Sequence, residues 1–216
     1  MPGQMPAPET RHPIILPGGT PHLGTVFLKP VINHRRWEVG EYTYASAHVP
    51  PEDWAFHLAP YLYPASHEML RIGKFCQIAD GALIITASAN HRRDGFSTFP
   101  FAVFDDFGPS RPSMPEVYPD TTIGNDVWIG QGARILPGAQ VGSGVIVGAS
   151  AVVSGRVPDY AVVAGNPARV VRGRFPAATV ARLVALAWWD WPIADILKAE
   201  PAICGGDIAA LEAMAP

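Results

Sequence analysis

From Ile123 the sequence returns to Ile or Val at every sixth residue. IGNDVW, IGQGAR, ILPGAQ, VGSGVI, VGASAV and VSGRVP begin at 123, 129, 135, 141, 147 and 153. The fifth positions of these units are Val127, Ala133, Ala139, Val145, Ala151 and Val157, all small or β-branched. An earlier block, IGKFCQ, IADGAL and IITASA, keeps the same phase from Ile72, Ile78 and Ile84, and VGEYTY from Val39 offers one further copy. A helix would want apolar residues at a spacing of about 3.6 and would be weakened by the Gly or Pro found in every one of the six consecutive hexads. Simple alternation has a period of two and fixes no glycine near the start of each unit. Short strands joined by tight turns satisfy both. One aliphatic side chain per hexad points inward, a small residue takes the corner, and glycine fills crowded or strained backbone positions.

The repeat is interrupted between residues 90 and 122, by NHRRDGFSTFPFAVFDDFGPSRPSMPEVYPDTT. An excursion of that length inside a compact domain is usually functional or disordered. The aromatics Phe96, Phe99, Phe101, Phe104 and Phe107 argue against disorder, because they need something to pack against. They either cap the open flank of the coil or build a pocket wall against a neighbouring subunit. After the repeat, FPAATVARLVALAWW reads as an amphipathic helix with Pro176 near its start and Val180, Leu183, Val184 and Ala187 on one face. Pro192 opens a second helix in WPIADILKAE, and Asp207 is a candidate N-cap for a third. Trp188, Trp189 and Trp191 read as a packing anchor. The expected organisation is an N-terminal arm over 1–36, a mainly β domain over 37–175 with its loop at 90–122, and a helical tail over 176–216.

Composition removes several classes of function. The 216 residues carry 16 Lys and Arg against 19 Asp and Glu, a formal net charge of −3 that leaves no basic footprint for nucleic acid or an anionic membrane. Hydrophobic residues make up 48% of the chain despite 21 Gly and 23 Pro, which favours a turn-rich globular fold over disorder. No segment approaches the ~20 apolar residues of a membrane span, and the amino terminus lacks the basic and apolar regions of a secretion signal. Cys76 and Cys204 are too few for a disulfide framework, so a cytoplasmic location is expected.

Of the seven histidines, only His91 stands where the repeat breaks into the long loop. The hexads, together with VGEYTY, ANHR, DVWIG, AGNPARVV and WWDWP in that order, resemble the xenobiotic acetyltransferase branch of the hexapeptide-repeat acyltransferases, which includes chloramphenicol and streptogramin A O-acetyltransferases. The resemblance spans roughly residues 37–198. It implies a left-handed parallel β-helix with three hexads per triangular turn, an exception to the right-handed crossover rule. It also implies acetyl-CoA as cosubstrate, a homotrimer with sites between subunits, and His91 as catalytic base. The chemistry agrees with that role. Moving an acetyl group to an alcohol requires removal of a hydroxyl proton, which a neutral imidazole can accept. Direct transfer in a ternary complex needs no acetyl-enzyme. Cys76, at the small corner position shared with Ala82 and Ser88, reads as structural, and Cys204 has no histidine near it in sequence.

By the same resemblance, coenzyme A would lie in a groove along the second block and the AGNPAR segment. Trp128 would stand beside the thioester, with Gly148, Ala149, Gly165, Asn166 and Pro167 further along and Arg169 or Arg172 at the phosphates. Gly130 and Gly148 could equally be demanded by the turns alone. Tyr42, Tyr44, Tyr61 and Tyr63, with Phe99 from the loop, are the candidate acceptor wall. The segment 45–71 and the phenylalanine-rich loop depart from the drug-acetylating pattern, so a sugar or other endogenous hydroxylated metabolite is the alternative acceptor. A zinc enzyme of the γ-carbonic anhydrase kind would need three histidines on the coil, and 72–89 and 123–158 contain none. A non-catalytic trimer module on the same coil would need neither His91 nor coenzyme A binding.

Overall fold

The computed structural model describes residues 5–105 and 111–216. Phe107 lies outside the described residues. Strands β1 (Thr25–Phe27), β2 (Trp37–Val39) and β3 (Tyr44–Ser46) are followed by the short helix α1 (Trp54–Leu58). One full turn is made by β4 (Leu70–Ile72), β5 (Gln77–Ile78) and β6 (Leu83–Ile84). After the loop come β7 (Thr121–Ile123), β8 (Trp128–Ile129) and β9 (Arg134–Ile135), then β10 (Gln140–Val141), β11 (Ile146–Val147) and β12 (Val152–Val153). The coil closes with β13 (Arg156–Val157), β14 (Ala161–Gly165) and β15 (Ala168–Gly173). Like strands stack into three faces, in the orders β1-β3-β5-β8-β11-β14-β15, β13-β10-β7-β4-β2 and β12-β9-β6. This is the expected left-handed parallel β-helix. Among the named strands of the described residues, only β1 on β3 and β15 on β14 pair antiparallel.

The inward rows are those read from the hexads. Ile72, Ile78, Ile84, Ile123, Ile129, Ile135, Val141, Val147 and Val153 are all buried in one continuous core, with Cys76, Ala82, Val127, Ala133, Ala139, Val145 and Ala151 at its corners. Val39 pairs with Ile72 and Ala45 with Ile78, so VGEYTY is indeed a further copy. The sixth hexad departs from expectation. Val141 pairs with Ile123, eighteen residues back, but with Val157 only sixteen residues on. Two residues are missing from the last corner, which turns sharply at Gly155 (φ +68°), and Val157 stands in the inward row instead of at a corner.

One corner column binds the tail. Tyr42, Phe75, Asp126, Gly144 and Tyr160 occupy successive turns there, all with positive φ. Tyr42 stacks on Phe75 at 5.0 Å, and Phe75 meets Trp188 at 5.2 Å. The Tyr160 ring lies over Gly144 so closely that an added Cβ would come within 2.5 Å of it. Trp188, Trp189 and Ile196 pack against this column, which confirms the tryptophans as an anchor. Helices α2 (Ala177–Leu186), α3 (Ile193–Gly205) and α4 (Ile208–Ala213) form the tail. Pro176 and Pro192 precede the first two, and the Asp207 carboxylate caps the third by accepting from Ala210 N–H at 3.0 Å. Val180, Leu183 and Ala187 face the tryptophans as expected, whereas Val184 is exposed. Ahead of the coil, β1 joins the chain's own first face and buries Val26 and Leu28.

Candidate active site

His91 emerges just past β6, where the coil wall ends in a single 3-10 turn, Ala87–Ala89. Buried Thr86 and Ala87 fix the start of that turn, and Asn90 N–H closes it on Ala87 O at 2.9 Å. The imidazole Nδ1 lies 2.8 Å from the carbonyl oxygen of Thr98. A carbonyl only accepts, so Nδ1 carries a proton, and in the neutral ring the free lone pair is therefore on Nε2. This orienting bond spans seven residues within the loop and has no signature in the sequence. His91 lines a cavity of about 390 Å³ with Arg92, Arg93, Asp94, Glu116 and Val117.

Arg92 braces the base of the loop. Its guanidinium forks onto Asp94 at 2.7 and 3.0 Å, donates to Pro112 O at 3.0 Å and approaches Glu116 at 3.2 Å. The hydrogen bonds from Arg92 hold the Asp94 carboxyl below its ordinary pKa. Sequence reasoning missed this brace, although the Arg of ANHR and the Asp two residues later were in view. On the far side of the Arg92–Asp94 pair, Phe99 lines a second cavity of about 510 Å³ with Phe96 and Phe101. Phe99 packs on Phe101 at 4.8 Å and on Phe104 at 5.3 Å. These rings contact one another yet remain at least half exposed, so they do not cap their own coil.

Trp128 stands half exposed on the first face. Its outward row runs Tyr44, Gln77, Trp128, Ile146 in direct register. Two strand spacings of roughly 4.8 Å separate Tyr44 from Trp128. Both line a cavity of about 240 Å³ with His48, Asp80 and Gln131. At the far corner of the same face, Gly148 sits against Ala164, and Ala149, Gly165, Asn166 and Pro167 are exposed beside it. Arg169 follows on β15 opposite Ala164 and pairs with no carboxylate among the described residues. Gly130 is required by the coil itself, since a Cβ there would lie 2.7 Å from Ala149 N and Val147 O.

The candidate acceptor tyrosines are divided among three places, apart from Phe99 in the loop. Tyr44 shares the Trp128 face. Tyr42 belongs to the corner column instead, stacked on Phe75 and edge-on to Phe27 at 5.8 Å. Tyr61 and Tyr63 are exposed on the excursion between β3 and β4. Within one chain, His91 and Trp128 therefore line separate cavities.

The Cys76 thiol is fully buried and donates to Gly124 O at 3.1 Å; burial pushes its pKa up to about 12, which suits a structural corner residue. Ser88, expected beside it at an equivalent corner, lies instead in the 3-10 turn, half-buried and hydrogen-bonded to Glu68. Among the described residues no helix is long and apolar enough to cross a membrane, and no three His, Cys, Asp or Glu side chains gather as a metal site.

The bacterial transferase hexapeptide model, of six repeats, matches residues 120–155. A chloramphenicol acetyltransferase of Agrobacterium fabrum is 40% identical over 179 residues, covering 80% of this chain and 84% of its own. One from Escherichia coli is 38% identical over 180 residues, covering 81% and 85%. A virginiamycin A acetyltransferase of Staphylococcus aureus is 38% identical over 192 residues, covering 86% and 85%.

Proposed function

Because this chain belongs to the xenobiotic acetyltransferase branch of the hexapeptide-repeat acyltransferases, and is an acetyltransferase, we propose that it moves an acetyl group from acetyl-CoA to a hydroxyl of an antibiotic such as chloramphenicol or a streptogramin A, with His91 as general base. The observation that carries this reading is the Nδ1 bond to Thr98 O, which leaves Nε2 as the acceptor of a proton. Acetyl-CoA supplies the acyl thioester. His91 Nε2 takes the hydroxyl proton as the oxygen attacks, and returns it to the departing sulfur. Trp128 packs beside the thioester end, and the small exposed residues Ala149, Gly165, Asn166 and Pro167 admit a thin pantetheine arm. Arg169 meets a phosphate. Tyr44, with Tyr61, Tyr63 and Phe99, walls the acceptor, while Tyr42 supports the fold.

The assembly is a homotrimer in which the loop of one subunit lies against the Trp128 face of the next. Two observations support it: His91 and Trp128 line separate cavities within a chain, and Phe96, Phe99, Phe101 and Phe104 are exposed in the loop that carries His91. A cytoplasmic location suits two unpaired cysteines and an acetyl-CoA-dependent reaction.

The test is thiol release from acetyl-CoA in the presence of chloramphenicol or virginiamycin A. His91→Ala should lower kcat on the order of 10²- to 10⁴-fold while acetyl-CoA still binds. Binding of acetyl-CoA without turnover of either drug would move the search to sugars and other hydroxylated acceptors. Absence of acetyl-CoA binding would refute the reading.

A further inference from the structure

The segment that delivers His91 is held by a carboxyl group that the proposed chemistry leaves unused. Glu68 is fully buried between the Tyr61–Tyr63 stretch and β4. Its Oε1 accepts the Ser88 backbone N–H at 2.6 Å, and its Oε2 accepts the Ser88 hydroxyl at 3.0 Å. Ser88 Oγ lies 2.7 Å from Ser66 Oγ, which in turn accepts Tyr63 N–H at 2.9 Å. The single hydroxyl proton of Ser88 is committed to Glu68, so Ser66 must donate to Ser88. One directed chain of bonds therefore runs from Tyr63 through Ser66 and Ser88 to the carboxyl oxygens of Glu68.

None of the ion pairs among the described residues involves Glu68. Burying a carboxyl group without a cation is costly, and an apolar side chain would avoid that cost only by leaving the Ser88 N–H without its acceptor. Buried carboxyl groups of this kind concentrate at functional sites. What the carboxyl does here is grip Ser88 at both of its donors. Ser88 is the central residue of the 3-10 turn and stands three positions before His91.

We propose that Glu68 is a positioning residue for His91, setting where Nε2 stands and tying it to the Tyr61–Tyr63 side of the acceptor wall. The inference rests on the reading of His91 as base. Glu68→Gln keeps the size of the side chain and removes one of the two acceptors. In thiol-release kinetics with chloramphenicol and acetyl-CoA, it should lower kcat on the order of tenfold to a hundredfold. KM for acetyl-CoA and the thermal midpoint should hold. Ser88→Ala should repeat that split, and it serves where the Gln variant does not fold. In the His91→Ala background neither change should cost anything further, because a group acting only through His91 has nothing left to position. Folded variants with kcat within about twofold of the parent, or losses that add to that of His91→Ala, would overturn the inference and leave His91 as base. Full activity in His91→Ala alone would overturn the base reading and this inference with it.

Discussion

Asp126 is the one acidic residue in a corner column otherwise made of aromatic rings and glycine. Burial outweighs the attraction of Arg174, 3.7 Å away, and pushes its carboxyl up from 3.8 to about 6. Between about pH 4 and pH 6 the folded chain therefore keeps a proton that the unfolded chain has lost, and stability falls as pH rises through that window. Asp126→Asn has no such titration. In urea melts at pH 4, 5, 6 and 7 the parent should lose up to about 3 kcal/mol relative to the variant across the window and nothing more above it. An unchanged difference would mean that Asp126 binds its proton equally in the folded and unfolded states. At this scale His91 was legible, because it stands at a break in an otherwise regular pattern. Glu68 was not, since nothing in HEML distinguishes a buried carboxyl from a solvated one. The same holds for Ser88, whose small size fits a corner as well as a hydrogen-bonded turn.

Among the coil elements, glycines that look alike in the repeat do different work. Gly130 has an ordinary φ, but a Cβ would strike the backbone of the next turn at 2.7 Å. Gly155 has open space around it and a φ of +68°. Gly130→Ala should therefore destabilise by about 1–3 kcal/mol through overpacking. Gly155→Ala should cost about 1 kcal/mol through backbone strain, and Gly155→Asn less. Chemical denaturation of the three variants measures the order, and a larger loss at 155 than at 130 would contradict the steric account. The same contrast explains what the repeat conceals. Inward and corner positions could be read because each hexad repeats one local environment. The loss of two residues before Val157 could not, because Val suits both the row it left and the row it joined.

For the whole molecule, the proposed trimer makes its own prediction. Chains carrying His91→Ala and chains carrying Trp128→Ala, co-expressed so that they assemble together, should recover activity that neither homotrimer has, up to roughly a quarter of the parent by random assortment. No recovery in verified mixed trimers would place each site within one subunit. Short strands joined by tight turns were legible from the period and three-faced coiling from the family resemblance, whereas the arrangement of the site was not. His91 and Trp128 line separate cavities within the chain, and the proposed neighbour would bring them together, a relation no single sequence displays. The antiparallel strands at the two ends of the first face have a further consequence. A stack of parallel rungs offers an open hydrogen-bonding rim at top and bottom, and such rims template fibres. Here β1 reverses direction on one rim and β15 on the other, while α1 packs against β6 and β15 crosses β12 at the two edges of the third face. The coil thus carries a stop at each end. An added internal turn should lengthen the monomer without making it polymerise, whereas removal of residues 1–36 should expose a sticky rim and turn a discrete particle into a filament seed.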